Sequence, residues 1–417
     1  MLLSPHHFAA AGEENRLNSL RGKNVVIVHP AWHSCGTSAV VAGQARVYGN
    51  LGAKVTAVAM CVDLDYGLNR IKAETLFQDA TDDIVANNRY FVGVPKKGLA
   101  TFDFARNVLW PLARGNHPVT MTGLAERSDL PDELRDERID IVHCNHFFCM
   151  PLAERIAAGQ CPIFLETHDV QARQYVLRNK GGWFLPPYPA FEELLSRELS
   201  WLERADMLIH LNSEEYKFFR NRLPHKRHEL IYPAIKDISI DHTGDKGAII
   251  AGANYPNVQS IQWLLSEVYP LASRPSILIA GGVKDDFQLR LPALFNANKD
   301  LFAGHVTDLQ SVYNKAKYII LPTVSGNGLS IKSVEALASG LPIVATTHAF
   351  RGMNFDVARC KNIFIANSPE EFAAQIDLHA ARGPTSIDQR RNSDTRAVYL
   401  DRFSDRSLAA SLAALIS

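Results

Sequence analysis

The sequence predicts two doubly wound α/β domains in succession. Three observations carry this reading. Short β-branched runs alternate with helix-patterned stretches, first over 23–60 and again over 247–322. The alternation breaks in the polar stretch 236–246 (KDISIDHTGDK) and then restarts. The 417 residues, 47% hydrophobic and 21% charged, suffice for about two cores.

Residues 23–30 (KNVVIVHP) read as a buried strand. A turn-rich AWHSCGTS follows. In SAVVAGQARVYGNLG, Val41, Ala45, Tyr48 and Leu51 share one helical face and Gly52 is the stop. Residues 54–60 (KVTAVAM) are the next strand. Strand, glycine-bearing turn, helix and strand form a βαβ unit, which implies parallel pairing. Further strands are expected at 139–145, 161–167 and 205–213. Beyond the break, 247–252 (GAIIAG) is a strand, PNVQSIQWLLSEVYP a helix and 276–282 (SILIAGG) a strand. LFAGHV leads to a helix at DLQSVYNKA and a strand at 318–322. The expected division is 1–238 and 239–399, with a helix at about 400–417 packing back on the first domain. Such domains place ligands beyond the carboxyl ends of their strands, and two of them facing across a cleft form a ligand site.

Composition excludes several classes. Lys and Arg number 44 and Asp and Glu 44, so the chain as a whole has no electrostatic pull on nucleic acid. Cys35, Cys61, Cys144, Cys149, Cys161 and Cys360 make no CxxC pair and read as reduced residues of a cytoplasmic protein. No apolar run approaches a membrane span. Glu13, Glu14 and Arg16 interrupt the first segment, which argues against a secretory signal.

The stretch SGNGLSIKSVEALASGLPIVAT, 325–346, carries the most chemistry. Its glycine loop follows a strand and opens a helix near Ser330. The first N–H groups of that helix are unpaired and partly positive. Glycines allow close backbone approach, and Lys332 adds a full charge, so the place suits a phosphate. Glu335, three residues on, shares the face of Lys332. A carboxylate there fits neutral hydroxyls such as those of a ribose. A surface Lys–Glu pair, worth roughly 0.2–0.5 kcal/mol, fits the same two residues on the helix alone.

This segment resembles the nucleotide-sugar signature of GT-B glycosyltransferases of group 1, or family 4, often GGGTRLKxxEA. Here Gly326, Asn327, Gly328, Leu329, Ser330, Ile331, Lys332, Ser333, Val334, Glu335 and Ala336 stand in its place. GANYPNVQSIQWLLSEVYP, AGHVTDLQSVYNKAKYIILP and LASGLPIVATTHAFRGM extend the resemblance over the second domain. DIVHCNH, ETHDVQARQ and RADMLIHLNSEE carry it more thinly in the first. The resemblance implies a GT-B fold with an acceptor-side first domain and a donor-binding second. It implies retaining transfer of a sugar from a UDP- or GDP-sugar to a glycan, lipid-linked or small-molecule acceptor, with no metal and no cofactor.

It further implies that Lys332 binds the diphosphate, Glu335 the ribose, and Gly326, Gly328, Leu329 and Ser330 the donor. Val306 would lie near the base. Gly36, in a first-domain loop, would approach the diphosphate, and Gly252 would line the cleft. His146 and Asn327 would lie near the donor sugar. The chain departs from the pattern in two places. Asn327 replaces the first glutamate of members with Glu-x7-Glu. GANYPN lacks the arginine that many members pair with the lysine, and Ser330 replaces a further arginine. Lys284, Arg351 or backbone amides are the substitutes.

His146 is either catalytic or a structural histidine. His168 and Asp169 either bind the acceptor or form a turn. Trp183, Phe184 and Tyr188 either stack on a sugar or pin a loop. Asp63-x-Asp65 reads as a solvated turn. Two basic, aromatic stretches, 95–115 and 216–228, suit either a peripheral membrane contact or, more commonly, a core-facing helix with a charged outer face. A non-catalytic nucleotide-sugar or glycan binding protein and a GT-B-type epimerase are the alternative functions.

Overall fold

The structure, a computed structural model, describes residues 20–416 except 34, 136, 183 and 307. The expectations for Trp183 and for residues 1–19 of the first segment lie outside the described residues. The chain divides into two compact units, Met1–Ala234 with Asp405–Ser417, and Ile235–Ser404.

The first unit is built on a seven-stranded sheet. Its strands are β1 (Asn24–Pro30), β2 (Lys54–Met60), β3 (Asn88–Val92), β4 (Ile141–Asn145), β5 (Ile163–Glu166), β6 (Met207–His210) and β7 (Arg227–Leu230). All neighbours are parallel, in the order β3-β2-β1-β4-β5-β6-β7. A parallel sheet needs cover on both faces. One face carries a core that includes Val26, Val28, Val142 and Leu165, the other a core that includes Val25, Ile27, Val55 and Ile141.

Helix Gly36–Asn50 buries Val41, Ala45 and Tyr48 in the second of these cores. It starts two residues earlier than the sequence suggested. Gly36 is therefore not a loop residue but the first residue of the helix, with Ser38 Oγ accepting from the Cys35 N–H (3.3 Å). Helix Asp405–Ile416 returns from the far end of the chain and adds Leu408 and Leu412 to the same core. Arg46 holds Asp405 through Nε and Nη2, both at 2.6 Å.

The second unit has six parallel strands, β8 (Lys246–Ile250), β9 (Ile277–Ala280), β10 (Phe302–Gly304), β11 (Ala316–Leu321), β12 (Ile343–Ala345) and β13 (Ile363–Ile365), in the order β10-β9-β8-β11-β12-β13. In both sheets the chain winds outward from the first strand on one side and then resumes on its other side. Each sheet therefore has a switch point, between β1 and β4 and between β8 and β11, where the following loops part and leave a crevice.

The two basic, aromatic stretches differ. In 216–228 the ring of Phe219 is fully buried, and Phe218 lies under the guanidinium groups of Arg173 (4.7 Å) and Arg222 (3.6 Å). That stretch is core-facing. In 95–115 Phe104 and Val108 face the core, but Phe102 is 81% exposed and Trp110 56%, so the outer side is apolar as well as charged. Asp63 and Asp65 form the expected turn, with Asp63 Oδ1 accepting from the Asp65 N–H at 2.9 Å. Cys35 is exposed, unlike the buried Cys61, Cys144, Cys149 and Cys360, and all six cysteines are free.

Candidate functional site

The switch point of the second unit gathers the residues read from the glycine loop. The loop after β11 carries Gly326, Asn327, Gly328 and Leu329, and Ser330 caps helix Ile331–Ser339, its Oγ accepting from the Ser333 N–H (3.3 Å). Gly326 has φ +124°, a conformation that only glycine adopts without strain. A Cβ there would also stand 3.2 Å from Arg351 Nη2. Two neighbours fix the loop: Arg351 Nη2 donates to Asn327 O (3.1 Å), and His348 Nε2 lies 3.0 Å from Gly326 O. The loop after β8 supplies Gly252, and the first turn of the helix that follows, Tyr255–Trp263, supplies Asn257. Asn257 Nδ2 donates to Gly252 O (2.7 Å), which turns its Oδ1 to the Lys332 ammonium, and that ammonium donates to it.

Lys332 is half-buried on the first turn of its helix, where no acidic residue stands. A cation at a helix N-terminus opposes the dipole. Burial lowers its pKa to about 8, with Glu335 pulling the other way and Arg351 adding to the fall. Burial raises Glu335 to about 7, against the effects of Lys332 and of Tyr313. The Tyr313 hydroxyl donates to Glu335 Oε2 at 3.4 Å. A fixed cation placed against the dipole, with few water neighbours, is poorly explained as a stabilising surface pair. A bound anion removes both penalties. Lys284 lies at the same carboxyl edge, its chain 3.2 Å from where a Cβ on Gly304 would stand, and Val306 follows β10 there, half-buried.

The switch point of the first unit gathers a second set. Gly36 opens its helix beside Thr37, whose Oγ1 lies 3.1 Å from His146 Nε2 at the end of β4. His146 and His168 follow β4 and β5 with φ of 66° and 60°, and their rings stack 4.1 Å apart. Backbone held so far from its usual range, at a cost of about 1–3 kcal/mol each, is characteristic of functional sites. Burial lowers His146 to about 3 and His168 well below its ordinary value, so both rings are neutral. The tautomer of His146 follows from its neighbours. Gln171 Nε2 donates to Asp169 Oδ1 and also lies 3.3 Å from His146 Nδ1. The carboxylate fixes the amide with its NH2 forward, so His146 Nδ1 accepts and Nε2 carries the proton toward Thr37. Asp169 thus acts within the network, and burial raises it to about 6.

Known proteins resemble the chain in part of its sequence and in its fold. Residues 245–380 match the sequence family described as Glycosyl transferases group 1. Among solved structures, HepE of Anabaena in complex with UDP aligns at 14% identity and TM-score 0.58, over 94% of this chain and 99% of that one. A mutant of S. aureus TarM in complex with fondaparinux, alpha-GlcNAc-glycerol and UDP aligns at 10% identity and TM-score 0.64, over 95% and 100%. The pneumococcal O-GlcNAc transferase GtfA with UDP and GlcNAc aligns at 10% identity and TM-score 0.59, over 94% and 98%. The fold class is GT-B. No curated protein matches the chain in sequence.

Within this GT-B chain the sequence-predicted residues fall into two groups. Gly252, Gly326, Asn327, Gly328, Leu329, Ser330, Lys332 and Glu335 share the switch point of the second sheet, with Val306 farther along the same edge. Gly36, His146, His168 and Asp169 share that of the first. Sequence reasoning missed Asn257, Thr37 and Gln171. Asn257 ends the stretch GANYPN where an arginine was sought, on the first turn of helix Tyr255–Trp263, and its place three residues after the helix-capping Asn254 was the available signal.

Proposed function

We propose that the chain is a glycosyltransferase that moves a sugar from a nucleoside-diphosphate sugar to a glycan or lipid-linked acceptor. The observation that carries this is the half-buried Lys332 ammonium at the second sheet's switch point, set against its helix dipole, with Glu335 one turn behind it. In this reading 239–399 binds the donor and 1–238 serves the acceptor. UDP is the first choice of nucleotide, since the HepE, TarM and GtfA structures hold UDP, and GDP the second.

The residues divide the work as follows. Lys332 and the free N–H groups of its helix take the diphosphate. Negative charge grows on that group as the glycosidic bond breaks, and the same fixed charges stabilise it. Glu335 accepts from the ribose hydroxyls. Gly326, Gly328, Leu329, Ser330 and Gly252 let backbone approach the donor, and Asn327 offers an uncharged amide to the sugar. His146 acts as a neutral hydrogen-bonding group, since a ring with a pKa near 3 is a weak base at neutral pH. Retention, independence of metal and a cytoplasmic location belong to this reading.

Calorimetry with UDP and GDP on the full chain tests it. Lys332→Ala and Glu335→Ala should keep the far-ultraviolet circular dichroism of the parent and lose at least about tenfold in affinity, the scale of one charge-assisted contact. Undiminished binding by both variants rejects the assignment. Release of UDP from UDP-glucose or UDP-GlcNAc tests catalysis as distinct from binding.

A further inference from the structure

We propose that residues 96–114 of the first unit form a docking surface for an anionic lipid bilayer. The segment is a chain of short helical pieces, Lys96–Leu99, Phe102–Phe104, Ala105–Leu109 and Trp110–Ala113. Phe104 and Val108 anchor it in the core. On the outer side Phe102 and Trp110 stand in solvent, joined by the exposed Leu109 and Leu112. The piece Ala105–Leu109 is a π-helical turn. Its wider i→i+5 pitch places Phe102 and Trp110, eight residues apart, roughly two full turns apart and so on one side.

A neighbouring loop extends the patch. The Leu185 N–H donates to Ala113 O (2.7 Å), and Arg114 Nη2 donates to Pro187 O (3.2 Å). This brings the exposed Leu185 and Tyr188 alongside. Cations accompany these apolar groups: Lys96, Lys97 and Arg106 are exposed, and Arg114 lies 5.8 Å from the Trp110 ring. The one carboxylate of the segment, Asp103, is held by Arg127 Nε at 2.6 Å. The whole chain is charge-balanced, so the excess is local.

Two features select a bilayer as the occupant. Trp and Tyr beside aliphatic groups and flanking Lys and Arg is the composition that settles at the headgroup boundary. The cations complement an anionic surface, whereas the basic stretch 216–228 has folded its aromatic rings inward and offers no such face.

Flotation of the full chain with phosphatidylglycerol and with phosphatidylcholine vesicles tests this, independently of any transfer activity. The chain should bind phosphatidylglycerol, release at high salt, and bind phosphatidylcholine much less. Phe102→Ser with Trp110→Ser should weaken binding at least about tenfold through lost apolar insertion. Lys96→Glu and Lys97→Glu should each weaken it by about fivefold or more. All four positions are exposed, so the fold should survive, as circular dichroism will report. Equal binding to both vesicle types, binding to neither, or variants that bind like the parent would overturn the proposal. So would a dimer in sedimentation that the aromatic pair abolishes without vesicle binding, since the patch would then serve self-association.

Discussion

Lys332 shows how one side chain can be costly to the fold and useful to the site. Its pKa near 8 means that the free protein holds the charge below pH 8 and sheds it as pH rises through that value. Diphosphate binds the charged form. Affinity should therefore be full below pH 8 and fall above it by up to about tenfold per unit, until the bound-state pKa is reached. Lys332→Arg, which stays charged throughout, should flatten this decline. Titrations with UDP from pH 7 to about 10 read the difference, and parallel profiles for the two proteins would contradict it. Lys332, Glu335 and the glycines were legible in the sequence because they lie within one short run. Asn257, Thr37 and Gln171 were not, because each meets its partner across 75, 109 and 25 residues. Spacing along the chain does not encode such contacts.

Helix Gln171–Gly181 illustrates the same limit for an element. Asp169 stands two residues before it, in ETHDVQ, yet that carboxylate binds the side chains of Gln171 and Gln174. The cap residue is Val170, which contributes no side-chain bond. Glu198, from helix Phe191–Leu202, supplies the function instead: Oε1 accepts from the Gln171 N–H (3.0 Å) and Oε2 from the Ala172 N–H (2.8 Å). Glu198→Gln keeps the shape but loses one acceptor, leaving a buried N–H unpaired. It should cost about 1–3 kcal/mol, read as a lower urea midpoint. Gln171 also fixes His146, so transfer activity should fall with it. An unchanged midpoint would show that this cap carries no weight. Helix Ile331–Ser339, capped locally by Ser330, had a start that could be read in advance.

For the whole molecule, alternation of strands and helices made both sheets and their parallel pairing legible. The positions of β3 and β7 were not: RHEL carries a single apolar residue, and NRYFV is a short run that opens on two polar ones. Helix Asp405–Ile416 is the longest-range piece of the design, and its apolar face is buried in the first unit. Leu412, fully buried against the first unit's core, should cost about 2–5 kcal/mol when cut to alanine. The loss should appear in the unfolding of the first unit. A variant that melts like the parent would place this helix outside that unit's cooperative structure.

The return of that helix bears on how the chain is made. Ribosomal synthesis delivers all of Ile235–Ser404 before Asp405–Ile416 emerges. Until then the first unit keeps an open apolar slot beside Val25 and Ile27. Only when Leu408 and Leu412 arrive does that slot close, so the unit begun first is completed last.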